Sequence, residues 1–486
     1  MEKGFVGIDL GTSAVKLLLM DENGNVVKTV SREYALSFPR PGWSEQNPED
    51  WYEQSLDGLS ELIAGTEDRI EGISFGGQMH GLVVLDEEDR VLRPAILWND
   101  GRTGEECEYL NEEIGRKTVS GETGNIAFAG FTAPKLLWMR KHEPDLFARI
   151  SRIMLPKDYL AYRFTGVHAT DASDASGMLL FDVKKRRWSE KMCDLCGVKT
   201  SQLAHVYESY EVIGTLLPRV ADATGLRREV RVIAGAGDNA AAAVGTGTVR
   251  DGDCNISLGT SGTVFIAADH FSVDEKNALH SFAHATGGYH LMGCMLSAAS
   301  CNKWWMEEIL RDSDMRGAQE EIGELGRNPV FFLPYLMGER SPHNDPEARA
   351  AFVGMSMDTT RGQMLQAVFE GVAFGLRDSL EVARSAGLVI TKTKICGGGA
   401  KSPLWRKIVA NVLNLTVETV EAEEGPAMGG AMLAAVGCGR WKTVEEAADA
   451  VVRISGREEP DPALAALYEE RYRAFRRLYP ALKSAR

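Results

Sequence analysis

"GIDLGTS" at residues 7–13 and "NISLGTSG" at 255–262 share an I-x-L-G-T-S core, with Asp9 in the variable slot of the first copy and Ser257 in the second. So short a match recurs by chance, so the flanks decide. "VGIDLGTSAVKLLLMDE" aligns with "CNISLGTSGTVFIAADH" through Ile8/Ile256, Leu10/Leu258, Gly11/Gly259, Thr12/Thr260 and Ser13/Ser261, and both continue into an apolar strand. Two halves that open alike are what an internal duplication leaves behind.

Outward from the first copy, "FVGIDLG", "AVKLLLM" and, past a turn at "DENGN", "VVKTV" read as glycine-punctuated β structure. A helix is predicted from Pro48, with Asn47 as its N-cap and acidic residues in its first turn. "IEGISFGG" is the next strand, "GLVVLDEEDRVLRPAILWND" a further pair, and residues 101–190 turn helical. "EVRVIAGAGDNAAAAVGTG" runs from strand through glycines to helix; after the second copy, "TKICGGGAKSPLWRKIVANVL" and "GPAMGGAMLAAVG" repeat the alternation. Alternating strands and helices make the class α/β. A composition break at "GTGTVRDGD" divides the 486 residues into units of 1–247 and 248–486, each of ordinary domain size.

With 44% hydrophobic and 25% charged residues the chain reads as globular, and its net charge of −15 argues against nonspecific binding to nucleic acid or anionic membranes. A nucleotide is not excluded, because amides, helix N-termini or a metal can supply local positive potential. No secretory leader and no long apolar span is visible, so a cytoplasmic location is expected. Cys193 and Cys196 have C-x-x-C spacing but lack a second ligand pair and sit in an amphipathic helical pattern.

A strand–turn–strand carrying L-G-T-S lets amides and hydroxyls approach phosphate oxygens closely; one such turn is equally an ordinary hairpin, but a matched pair opening two halves argues for phosphate binding at Gly11, Thr12, Ser13 and Thr260. Asp9 adds a carboxylate able to hold a divalent cation, whereas Ser257 adds an uncharged hydroxyl. "GAGDNA" at 235–240 fits a dinucleotide fingerprint poorly, lacking the following strand that ends in an acid, and instead offers Asp238 as a general base or as a helix N-cap. "GGQMHG" presents Gln78, Met79 and His80 at a turn, and "LWNDGR" presents Trp98, Asn99, Asp100 and Arg102; such groups suit the grip of a small polyhydroxylated molecule, although each alone is more often an ordinary loop residue. No G-x-x-x-x-G-K-[ST] and no G-x-S-x-G is present.

These stretches, with "GFTAPKLLW", "LPKDYL", "FFLPYLMGERSPH" and "CGGGAKSPLWR", resemble the FGGY carbohydrate kinases from about residue 4 to about 480. The resemblance implies two actin-like domains of ribonuclease H type with the active site in the cleft between them, and transfer of a phosphoryl group from ATP, with Mg2+, to the 5-hydroxyl of D-xylulose. It further implies Asp238 as the base, a task for which an unshifted acidic pKa suffices because the hydroxyl proton leaves late. Met79 and His80 become the substrate-contacting pair and Asp9 the acid near metal and phosphates. Gly11, Thr12 and Thr260 fall in the phosphate loops, and Gly398, Gly399 and Ser402 in the adenosine motif. Family members are often dimers, so a homodimer is an open expectation. Kinases of another pentulose, a polyol or a sugar acid, and an actin-like ATPase switch, remain alternatives.

Overall fold

The structure is a computed structural model and describes residues 3–421 and 424–484. β1 (Gly4–Leu10), β2 (Ala14–Asp21) and β3 (Val26–Glu33) form an antiparallel meander, the reading the flanking turns predict. α1 (Pro48–Ile63) follows, started by the Asn47 side chain, which accepts the amide of Glu49, and by Pro48 at its first position. β4 (Ile70–Gly77) returns parallel to β1. After a long insertion that includes α2 (Pro156–Thr165), β5 (Val212–Thr215), β6 (Arg231–Ile233) and β7 (Ala236–Gly237) complete the sheet in the order β5-β6-β4-β1-β2-β3, with β7 also paired to β4. α3 (Asp238–Gly245) leads out of it.

The second half repeats the plan. β8 (Cys254–Leu258), β9 (Gly262–Ala268), β10 (His280–Ala283) and β11 (Tyr289–Met295) are antiparallel neighbours. α4 (Arg361–Ser385), β12 (Lys392–Cys396), α5 (Pro403–Leu413) and β13 (Thr416–Val420) follow, with β12 parallel to β8 and β13 parallel to β12. α6 (Gly425–Gly437), β14 (Ile454–Glu458) and α7 (Pro462–Lys483) end the chain. The sheet order β10-β11-β9-β8-β12-β13-β14 places β11-β9-β8-β12-β13-β14 over β3-β2-β1-β4-β6-β5, with every pair in the same sense. The duplicated motif is a duplicated ribonuclease H-type sheet.

Alternation along β1 and β2 explains the layers. Val6, Ile8, Leu10, Val15, Leu17 and Leu19 face one core with Trp51, Leu59, Leu62 and Ile63 of α1. Phe5, Leu18 and Met20 face the other side, where α3 and α6 pack. Gly7 lies on that second face because α6 leaves no room: a Cβ there would stand 1.9 Å from the carbonyl oxygen of Ala427. The strands expected around "GLVVLDEEDRVLRPAILWND" exist as Val83–Leu85 and Ala95–Ile96; they pair with Arg152–Met154 and with Glu45–Gln46, and a bridge from Leu82 to Ile96 joins the two segments. Cys193 and Cys196 are buried on a short helix, in keeping with the amphipathic pattern.

Candidate active site

Register brings the site together. On β4, Gly76 is opposite Asp9 of β1 and Ala236 of β7, and Gly77 is opposite Leu10 and Gly237. Gly11, Gln78 and Asp238 therefore leave three adjacent parallel strands at their carboxyl ends, the position where open α/β sheets bind ligands. β1 and β7 flank β4, so their axes are about 10 Å apart. β4 ends in two glycines because its neighbours crowd it: a Cβ at Gly77 would lie 2.7 Å from the Cβ of Lys157, and one at Gly76 would lie 3.0 Å from Pro426 at the start of α6.

Asp238 is the first residue of α3, and its side chain does not cap the helix; the cap position is Gly237. Its Oδ1 accepts the amide and the side-chain Nδ2 of Asn239, at 2.7 and 2.8 Å. Burial, set against those two hydrogen bonds, pushes its pKa up to about 6, above the ordinary carboxylate value that would suffice for a base taking a late-departing proton. Asp9 rises further, to about 7, through burial and the like charge of Asp238, with Lys16 opposing. Lys16, opposite Asp9 in register, is itself tied to Glu424 at 2.5 Å.

Gln78 is buried, its Nε2 donating to Oε1 of Gln46 at 3.0 Å while its own Oε1 has no hydrogen-bond partner among the described residues. Gln46 in turn donates to the carbonyl of Thr12 at 2.6 Å and accepts from Trp51 at 3.1 Å, so one amide joins the Gln78-Met79-His80 turn to the first L-G-T-S loop. Sequence reasoning passed over Gln46, which lies in no glycine-marked motif. Trp98, 47% exposed, donates from Nε1 to the Thr12 hydroxyl at 3.0 Å, Tyr34 donates to the Gly11 carbonyl, and Asn99 is exposed beside Trp98. Asp100 and Arg102 stand apart from this group: they pair with each other, and Arg102 stacks on Trp43 at 3.7 Å as part of the scaffold.

Met79 is buried against Gly237, where a Cβ would meet its sulfur at 2.9 Å. His80 holds a left-handed backbone at φ 68, rare for a non-glycine residue, and its carbonyl accepts from Thr132 Oγ1 at 3.0 Å and from Lys135 Nζ at 2.9 Å. That is the task of the "GFTAPKLLW" stretch. The ring lies on Phe131 at 4.5 Å, and Nδ1 contacts the Gly177 carbonyl at 2.8 Å. A carbonyl only accepts, so Nδ1 carries the hydrogen and Nε2 keeps a lone pair; burial lowers the pKa to about 3, leaving the ring neutral. His80 therefore offers an acceptor at Nε2 and no acidic proton near neutral pH. Phe282 and His280 of β10 close the wall from the second half, at 6.2 and 5.5 Å from Phe131. The "GERSPH" stretch reaches the same wall: Glu339 accepts the Leu296 amide and Arg340 lies 4.9 Å over Phe128.

In the second half, Gly259, Thr260, Ser300, Gln319, Gly398 and Ser402 help line a cleft of about 1030 Å³. The second loop is braced by Ala299 and Ala298, whose amides donate to the carbonyls of Gly259 and Thr260 at 2.8 and 2.9 Å. Gly399 packs so that a Cβ would lie 2.6 Å from Leu258, whereas a side chain at Gly398 would meet nothing within 4 Å and would stand in the cleft. Ser402 caps α5 by accepting the Trp405 amide at 3.2 Å and donates to Gln319 at 2.7 Å. Ser13 and Thr260 are exposed at the tips of their loops.

The duplicated sheet puts Asp9, Asp238 and the Gln78-Met79-His80 turn at neighbouring strand ends and a loop-lined cleft in the second half, the plan of a two-domain α/β kinase. The chain belongs to the FGGY family of carbohydrate kinases: models of that family's N-terminal and C-terminal domains match residues 5–245 and 254–438. It is 41% identical to a xylulose kinase of Escherichia coli K12, over 98% of this chain and 99% of that one. Among solved structures, one described as a xyloylose kinase from Brucella ovis superposes with a TM-score of 0.95 at 40% identity, covering 99% of this chain and all of that one. A gluconate kinase from Lactobacillus acidophilus also reaches 0.95, at 25% identity, covering 99% of this chain and 98% of that one. The protein is a carbohydrate kinase, and among the described residues no helix is long and apolar enough to cross a membrane.

Proposed function

We propose that this protein transfers the γ-phosphoryl group of ATP to the 5-hydroxyl of D-xylulose, with Asp238 as general base. The observation that supports it most is the convergence of Asp238, Gln78, Met79 and His80 at adjacent strand ends in a chain 41% identical to a xylulose kinase. Gln78 Oε1 and His80 Nε2 are acceptors for sugar hydroxyls, Met79 and the exposed Trp98 are apolar surfaces for the carbon chain, and Asp238 takes the departing proton.

Asp9 would hold Mg2+. The donor set fits it: a buried carboxylate raised by a like charge gains from a cation. Among the described residues no cluster of three or more His, Cys, Asp or Glu stands ready as an all-protein cage, so water and phosphate oxygens would complete the shell. Bound there, Mg2+ supplies charge neutralisation on the phosphates. The amides and hydroxyls of Gly11, Thr12, Ser13 and Thr260 orient those phosphates, and the cleft at Gly398, Gly399 and Ser402 takes the adenosine.

The same fold serves a gluconate kinase, so the sugar is tested directly. ADP release with MgATP is measured on D-xylulose, D-ribulose, L-xylulose, glycerol and gluconate, with a no-sugar control. Turnover on D-xylulose above all others is expected; preference for another member reassigns the pocket, and equal sugar-independent turnover replaces the reading with an ATPase switch. A second expectation concerns pH. The base must be ionised, and its folded-state pKa lies near 6, so kcat/KM falls as pH drops through about 6 and levels off above it. A limb near 3.8, the ordinary aspartate value, would contradict the buried-base reading.

A further inference from the structure

Beneath the same strand ends lies a charge cluster that the reaction just described does not use. Lys157, in the first turn of α2, is fully buried, with Nζ 2.6 Å from Asp158, 2.9 Å from Asp171 and 3.6 Å from Asp174, all buried. Burial alone would lower the Lys157 pKa, but the three carboxylates outweigh it and keep the ammonium charged. Such an arrangement is weak ground for stability, because desolvating the ions offsets most of their attraction and well-packed apolar groups often do as well. Its placement is more telling: the Lys157 stem fills the space beside Gly77, the β4 residue between Leu10 and Gly237.

A continuous chain of contacts runs from the ammonium to the residue before Asp238. Asp171 ends the strand Ala169–Asp171 and presents Oδ1 to Lys157. Its Oδ2 accepts from the amide of Ser173 at 2.8 Å, from the Ser173 hydroxyl at 2.5 Å and from the Ser209 hydroxyl at 2.7 Å. With its hydrogen committed to Asp171, Ser173 Oγ has only lone pairs left, and one accepts the backbone N–H of Gly237 at 3.1 Å. Gly237 has no side chain with which to anchor itself, and Met79 occupies the space a Cβ would need.

We propose that Asp171 and Ser173, held by Lys157, are positioning residues for Asp238: the Ser173 hydroxyl fixes the Gly237 peptide and so aims the carboxylate that follows it. The proposal rests on Asp238 being the base, and gives the "LPKDYL" stretch and the "TDAS" that follows it a task in the reaction. A rotation of that peptide displaces the carboxylate without removing it, which slows proton transfer while sparing nucleotide binding.

The test is a double-mutant cycle in the full-length enzyme between Ser173→Ala and Asp238→Asn, read as steady-state kcat and KM for both substrates. Ser173→Ala is expected to lower kcat by about tenfold with KM for ATP unchanged, Ser173→Thr to restore most of the rate by keeping the hydroxyl, and Ser173→Ala to cost nothing further once Asp238 is Asn. A normal kcat in Ser173→Ala, or an equal loss in both backgrounds, overturns the proposal. Normal activity in Asp238→Asn overturns the base assignment instead, so the two failures are distinct. If Ser173→Ala does not fold, Ser173→Cys, which keeps the volume and weakens the acceptor facing the Gly237 N–H, takes its place: a kcat fall confined to the Asp238 background supports the proposal, and an unchanged kcat overturns it.

Discussion

Asp238→Ala is expected to lower the phosphorylation rate by about 100-fold or more with the fold unchanged. Structure and chemistry separate at this residue. Its carboxylate caps no helix and is bonded only to the adjacent Asn239, so its removal orphans no distant group. It also relieves the burial that holds the free acid near 6. What is lost is an acceptor at the strand end next to Gln78, Met79 and His80. Phosphoryl transfer asks little covalent help of a protein and draws mainly on positioning and charge, so the residual rate should remain above the uncatalysed one. The check is kcat with D-xylulose and MgATP beside a thermal melt: a lowered rate with an unshifted or raised melt is the expected pair, and a near-normal rate removes the base assignment.

Much of this architecture is written in local pattern. The two L-G-T-S turns mark equivalent corners, β1–β2 and β8–β9, because glycine and small hydroxyl residues fit a tight strand connection wherever it occurs. Asn47 and Pro48 mark a helix start through a cap and a pre-set φ, both one-residue signals. Asp238 and the Gln78-Met79-His80 turn were visible because each directly follows a glycine that ends a strand, Gly237 and Gly77.

Less legible was everything that depends on distant partners. Gln46 joins Thr12 to Gln78 across 32 residues or more, and nothing in "SEQNPED" distinguishes it from a loop residue. The wall of Phe131, His280 and Phe282 is drawn from both halves, so no single window displays it. Asp100 and Arg102 look like ligand groups in "LWNDGR" because a motif does not tell which way a side chain turns; here the turn is inward, toward each other and Trp43. The shifted pKa of Asp238 was also beyond the sequence, since it comes from burial under α3 and its neighbours.

Gly429→Val should damage both stability and catalysis, and for one steric reason. α6 comes from the second half of the chain yet lies on the first sheet, wedged between β1 and α3. A Cβ at Gly429 would stand 1.8 Å from the carbonyl oxygen of Ala241 in α3, just as one at Gly7 would stand 1.9 Å from that of Ala427 in α6. These obstacles are backbone atoms, which no change of rotamer relieves, so α3 or α6 has to move. Overpacking of this kind costs about 3 kcal/mol, and in a domain of this size that lowers the melting temperature by roughly 10 °C. α3 begins at Asp238 and β1 carries Asp9, so the displacement that accommodates the valine also shifts the two carboxylates proposed to act on the sugar and the phosphates. Gly121→Ala is the control: it sits exposed in a helix where an added Cβ meets nothing within 4 Å, and it is expected to leave melting and rate unchanged or to raise stability slightly. Melting curves and kcat for the two variants decide the matter: if Gly429→Val melts with the parent protein, α6 is not the tight wedge that couples the two halves, and the close glycine contacts along it carry no functional weight.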